Sequence, residues 1–156
     1  MPFIDSIQDL VAATDSPVTD TRAMEILEDA MDAFLHAVDA ADAVLLVRDE
    51  DSNDLVFVLV RGTLPAQSLR WQRIPATHGI AGWVFMNQRP AIINNTQADD
   101  RFRPWIIGED AIPAATSLAA PIIHDNRVLG VIEVLNKHKG QHFSVADETL
   151  LTLMCR

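Results

Sequence analysis

The tightest constraint in this 156-residue chain is a pair of apolar runs, 117–124 and 127–135, separated only by Asp125 and Asn126. A two-residue link of this kind closes an antiparallel hairpin, because Asp and Asn tolerate the left-handed backbone of a tight turn. Both runs are predominantly apolar and read as strands. Further strands and helices are expected before and after them.

Those elements can be read along the sequence. Apolar residues Phe3, Ile4, Ile7, Leu10 and Val11 recur at helical spacing, and residues 1–18 are expected to form a helical connector. A second helix should run from about 19–21 to Asp39, with Met24, Leu27, Met31, Phe34, Leu35 and Val38 on one stripe. Its other face carries Glu25, Glu28, Asp29 and Asp32 as a solvated surface. Runs 43–48 and 55–61 read as strands joined by the acidic turn 49–54. That turn lacks the mid-loop glycine and distal glutamate of a calcium loop. A third strand is expected over 69–74, closed by Pro75. A helix should follow over 77–88, capped by Thr77 and stopped by Pro90. Gly79 and Gly82, unfavourable within a helix, are expected where it presses on a sheet or a ligand. A short strand at 91–94 precedes a long connection, 96–115, with one or two helical turns, and such a loop is more often functional than idle. Ser144 and Asp147 form an S-x-x-D cap for a last helix. The chain stops while that helix is still running, which predicts a fragment of a longer protein.

Composition removes several functions. Apolar residues are 49% of the chain and charged ones 22%, which excludes wholesale disorder. The single cysteine, Cys155, excludes a disulfide framework and suits a reducing compartment. Net charge is −10, a poor match for nucleic acid or an anionic membrane. Residues 1–60 hold 14 acids against Arg22 and Arg48, whereas 61–156 hold ten bases and eight acids, so a small anion would be better received in the second part. With no bilayer-length apolar run and no signal-like start, a cytoplasmic protein is expected. His138 and His142 have no third partner nearby, so no metal site is expected. Neither a glycine-rich phosphate loop, a G-x-S-x-G elbow nor an H-E-x-x-H helix occurs, and no enzyme is expected.

Five segments, in order, resemble a GAF domain: Gly79-Ile-Ala-Gly-Trp-Val84, Arg89-Pro-Ala-Ile-Ile-Asn94, Ala98-Asp-Asp-Arg-Phe102, Ser117-Leu-Ala-Ala-Pro-Ile122 and Val128-Leu-Gly-Val-Ile-Glu-Val-Leu-Asn-Lys137. The resemblance implies an α+β, PAS-like domain over 19–156, with an antiparallel sheet of about six strands. Terminal helices would cover one face, and the middle helices with 96–117 would roof a small-ligand pocket on the other. Asn136, Lys137, Phe143, Asp147 and Glu148 are similar to the N-K-xn-F-x3-D-E signature of cyclic-nucleotide-binding GAF domains in phosphodiesterases and some bacterial adenylyl cyclases. Physically, Lys137 can pair with Asp147 while Phe143 fills the space beneath, a lock between strand and helix.

Within that frame the candidate ligand residues are Asp99, Arg101, Phe102, Trp105, Thr116, Ser117 and Glu133. Thr116 and Ser117 either donate to a ligand or bond the backbone. Arg101 and Arg103 either meet a phosphate, with Phe102 stacked on a base, or answer Asp99 and Asp100 around a core Phe102. Glu133, in an apolar strand, either accepts bonds inside the protein or faces water. Trp83 and Trp105 are core or pocket wall, and Ile106-Ile107 either close over a ligand or pack inward. The resemblance implies a sensor in a larger bacterial signalling protein, homodimeric through its terminal helices and joined to an output domain. Its ligand would be cAMP or cGMP. Without a pocket cysteine, covalent bilin and thiol-dependent methionine sulfoxide reduction are not expected. The rival reading is a ligand-free dimerisation scaffold.

Overall fold

The computed structural model describes residues 21–156, so the connector expected over 1–18 lies outside the described residues. Helix α1 (Thr21–Val38) leads into strands β1 (Ala40–Asp49) and β2 (Asp54–Arg61). A four-residue helix, α2 (Ala66–Leu69), precedes β3 (Arg73–Pro75), α3 (Gly79–Asn87) and β4 (Ala91–Ile93). Two miniature strands, β5 (Ile106–Ile107) and β6 (Asp110–Ala111), come before the long hairpin β7 (Ser117–His124) and β8 (Arg127–Lys137). Helix α4 (Val145–Met154) follows. Six strands form one antiparallel sheet in the order β3-β2-β1-β8-β7-β4, and β5 pairs only with β6.

The hairpin expectation holds in detail. Asp125 and Asn126 both have positive φ, 51° and 63°, the mirror-image turn that suits twisted strands. Residues of β1 and β8 are buried on both faces, which accounts for their unbroken apolar runs. On one face, Leu45, Val58, Leu118, Ile132 and Val134 pack against α1 and α4 through Leu27, Met31, Phe34 and Leu151. On the other, Val44, Leu46, Phe57, Ala119 and Val131 meet α3 and the 96–115 connection. The acidic face of α1 is tied down at one point: Arg61 donates to Glu28 at 2.7 Å and to Asp32 at 2.6 and 2.9 Å. Asp147 completes a reciprocal capping box with Ser144 at the start of α4.

Three local expectations are corrected. The strand expected over 69–74 is a helical turn followed by β3, because Trp71, at φ 72°, breaks the extended run before Arg73. Helix α3 is capped at His78, not Thr77, and no side chain bonds its first turn. The atoms nearest its Gly82 belong to the chain just before it, not to the sheet. A Cβ there would lie 2.4 Å from the carbonyl carbon of Thr77, so the glycine makes room for the chain entering its own helix. The 96–115 connection holds one helical turn, Thr96–Ala98, within the one or two expected, and adds the short β5–β6 ribbon.

Candidate functional site

Strand alternation decides which side chains can meet a ligand. Asp42, Val44 and Leu46 in β1, Glu133 and Leu135 in β8, and Ser117 and Ala119 in β7 share the face beneath the 96–115 connection. Trp105 descends from that connection onto Phe57, edge to face at 5.1 Å and 86°, and is buried. Ile112 is buried beside it, its N–H donating to the Trp105 carbonyl at 2.8 Å. These two side chains fill part of the space expected beneath the roof.

What remains is a cavity of ≈ 370 Å³ between the β5–β6 ribbon and the loop after β2. Ile107, Ile112 and Pro113 form its roof, and Leu64 and Pro65 its flank. Its polar groups are Asp42, Thr63, Asp110 and Asn136, and none of its lining side chains is basic. Asp42 is only 2% exposed. Its Oδ1 accepts from both the Thr63 N–H, at 2.6 Å, and the Thr63 hydroxyl, at 2.8 Å. Among the described residues no donor is paired with Oδ2.

Two further clefts are less suited to holding a molecule. A polar groove of ≈ 550 Å³ runs between Asn94–Gln97 and Pro113–Ala115. Several of its polar side chains are already engaged: Asn94 exchanges bonds with the Phe143 backbone, and the Thr96 hydroxyl donates to the Ala114 carbonyl. A third cleft, ≈ 320 Å³, lies at the start of α3 beside Trp83, Arg101 and Arg103. There Arg101 clasps Asp99 at 2.8 and 3.0 Å and stacks on Trp83 at 4.6 Å. Arg103 donates to the carbonyls of Asp100 and Phe102. The guanidinium of Arg101 holds Asp99 below the usual carboxylate range. Phe102 is half-buried against the core face.

The seven candidate ligand residues are thus not brought into one site. Asp99 and Arg101 answer each other, Phe102 and Trp105 are packing groups, and the Thr116 hydroxyl accepts from the Lys137 N–H at 3.0 Å. Ser117 and Glu133 do meet, the Ser117 hydroxyl donating to Oε2 of Glu133 at 3.0 Å with both residues buried. Oε1 of Glu133 is buried with no partner. Burial pushes this carboxyl up to about 7, and the Ser117 bond draws it back only in part. The cavity residues that sequence reasoning missed are Asp42, Thr63 and Asp110. The signal for Asp42 was present, an acid just before five consecutive apolar residues of a strand.

Lys137, Phe143 and Asp147 form a lock between strand and helix, and Asn136 makes a second one. Lys137 Nζ lies 2.5 Å from Asp147 Oδ2, each side chain 13% exposed, with the ammonium 5.9 Å from the Phe143 ring. Burial raises the Asp147 carboxyl, but bonds from Lys137 and Ser144 outweigh it and hold it below its ordinary range. Asn136 faces the other way. Its side chain accepts from the Ala115 N–H at 2.8 Å and donates to the Pro113 carbonyl at 3.3 Å, pinning the foot of the roof to the sheet. Among the described residues no cluster of three potential metal ligands occurs, and no helix is long and apolar enough to cross a membrane.

A family model described as the GAF domain matches residues 21–156. A probable 3',5'-cyclic phosphodiesterase, pde-5, of Caenorhabditis elegans is 31% identical over 124 residues, 78% of this chain and 16% of that protein's length. The chain therefore spans about a sixth of this curated relative. The GAF domain of an Acinetobacter phosphoenolpyruvate-protein phosphotransferase superposes with a TM-score of 0.71 at 23% identity, covering 97% of this chain and 87% of that one. The free methionine-R-sulfoxide reductase of Neisseria meningitidis, solved with its substrate, gives 0.70 at 17% identity, covering 98% and 83%. At these identities the two structures speak to the fold alone.

Proposed function

From the premise that this chain belongs to the GAF domain family, we propose that it is a regulatory sensor domain of a larger signalling protein, closing the β5–β6 ribbon over a small molecule and passing that state to its terminal helices. The observation that carries this reading is the ≈ 370 Å³ cavity, roofed by a ribbon that pairs only with itself and is tethered at its foot by Asn136. Residues 136 and 137 join that foot to the first turn of α4, a continuous path from pocket to helix. Binding is favoured over turnover because the polar group at the cavity floor, Asp42, is already held by Thr63. A 3',5'-cyclic nucleotide is the ligand suggested by the pde-5 likeness. The host would be cytoplasmic and bacterial, a homodimer through α1 and α4 carrying an output domain. A population shift between open and closed ribbon would be the signal.

One observation favours a second reading, a scaffold without ligand. Trp105 and Ile112 occupy part of the hollow, while Val145, Leu150 and Leu153 leave α4 with exposed apolar side chains. Thermal unfolding with cAMP and with cGMP separates the readings. A ligand at a hundred times its dissociation constant adds ~2.7 kcal/mol, or roughly 5–10 °C in Tm for a domain of this size. No shift with either nucleotide removes nucleotide sensing.

A further inference from the structure

Resting on the sensor reading, we propose that the anionic group of the ligand lies outside the β5–β6 cavity, in the adjoining amide-lined groove, so that one phosphate ester spans both clefts. The two adjoin because Pro113 and Asn136 line each of them, and the 3.3 Å bond from Asn136 to the Pro113 carbonyl is the wall between. The cavity receives the uncharged end. Leu64, Ile107 and Ile112 offer an apolar surface to a base, whereas a phosphate there would meet Asp42 and Asp110 with no lysine, arginine or histidine to answer it.

The groove has the opposite bias, built from neutral groups, and no charged residue lines its ≈ 550 Å³. Its carbonyls are occupied. Ala114 accepts from the Thr96 hydroxyl at 2.6 Å, Ala115 from the Thr96 N–H at 3.2 Å, and Pro113 from Asn136. Three asparagine side chains are each oriented by a backbone N–H, which only the amide oxygen can accept. Asn94 accepts from Phe143 at 2.9 Å, Asn95 from Gln97 at 3.2 Å and Asn136 from Ala115 at 2.8 Å. Their oxygens are thus engaged, while each NH2 keeps at least one N–H without a partner among the described residues. The Gln97 carboxamide is exposed and makes no hydrogen bond there, so it is free to turn its NH2 the same way. A groove whose acceptors are occupied and whose donors are not selects a guest rich in acceptors. Phosphate oxygens are such acceptors, and their charge makes each bond roughly twice as strong as one to a hydroxyl. The arginines of the cleft beside α3 are less available, since Arg101 is held by Asp99 and Arg103 by two carbonyls.

The test titrates the full 156-residue chain at pH 7.5 with cGMP, cAMP, guanosine and adenosine, following backbone and side-chain NH2 resonances by NMR. A cyclic nucleotide is expected to move the backbone amides of 107–112 together with the NH2 signals of Asn95, Gln97 and Asn136. It should bind at least about tenfold more tightly than its nucleoside, which moves 107–112 alone. Asn95→Asp and Gln97→Glu keep the side-chain shape but put a carboxylate oxygen where the NH2 stood, and Asn95→Asp still accepts from the Gln97 N–H. Each should weaken the nucleotide at least about tenfold and the nucleoside less than about threefold. Both positions are exposed, so neither change touches the core. Equal affinity for nucleotide and nucleoside overturns the groove assignment and leaves the sensor reading standing. A nucleotide that moves 79–83 and 101–103 in place of the groove signals does the same. If no compound moves any of these resonances, both fall.

Discussion

Glu133→Gln gives the sharpest measurement, because the buried carboxyl ties stability to pH in a direction opposite to that of most acids. Its ionisation is displaced from an ordinary 4.5 to about 7 by burial in β8. Between those two values the folded chain holds a proton that the unfolded chain has released. Stability contributed by the neutral acid is therefore complete at and below about pH 4.5 and declines as pH rises through 7. At 1.36 kcal/mol per pH step, a displacement of this size is worth about 3 kcal/mol above pH 8. Glutamine keeps the shape and an acceptor for Ser117 but cannot ionise, so the variant should not decline. The quantity to read is the difference in unfolding free energy, Gln variant minus parent, from calorimetry at pH 5, 6, 7 and 8. It should grow by about 2.5 kcal/mol across that range, or roughly 5–10 °C in Tm difference. Taking the difference cancels Asp32, Asp99 and Asp147. Those carboxyls are held below their ordinary range and lose their contribution only as pH falls further. Parallel curves from pH 5 to 8 would refute the reasoning, since they would mean that Glu133 is solvated or otherwise neutralised in the folded state.

Two further outcomes follow from packing. Lys137→Met leaves Asp147 at 13% exposure without its ammonium and should cost about 2–3 kcal/mol in urea unfolding, between the values for exposed and fully buried pairs. Asp147→Ala also removes the capping box and should cost about 1 kcal/mol more; if both prove neutral, the pair is no lock. Cys155, fully buried with its thiol pushed up by burial, should react with a disulfide reagent only at the rate of unfolding. Rapid modification of the folded chain would contradict its burial.

Local signals carried the elements whose geometry is local. Asp125-Asn126 dictated a turn, Ser144 and Asp147 a helix start, and the spacing of Leu27, Met31 and Phe34 a helix face, and each appears where it was expected. What failed depended on the backbone of single residues or on distant neighbours. The positive φ of Trp71 breaks a run that reads as strand, and nothing in an aromatic side chain announces it. The six-stranded α+β architecture was legible because the resemblance added the number of strands and their antiparallel sense, which periodicity alone does not contain.

The candidate site was the least legible part, for a reason visible in its lining. Asp42, Thr63, Asp110 and Asn136 come from four separated segments, and each alone reads as a strand end, a loop hydroxyl, a solvated turn acid or a motif residue. Conversely, Asp99, Arg101 and Phe102 read as a phosphate-and-base cluster only while their partners are unknown. A guanidinium two residues from an aspartate finds it first, at no loop-closing cost, and Trp83 completes its shell. Asn136 shows the same asymmetry from the other side. Its neighbour Lys137 was legible as half of an ion pair because the other half lies ten residues on. The bonds of Asn136 to Pro113 and Ala115 reach back more than twenty residues. Yet those bonds give the motif a second grip, since one dipeptide holds the foot of the roof and the first turn of α4 together.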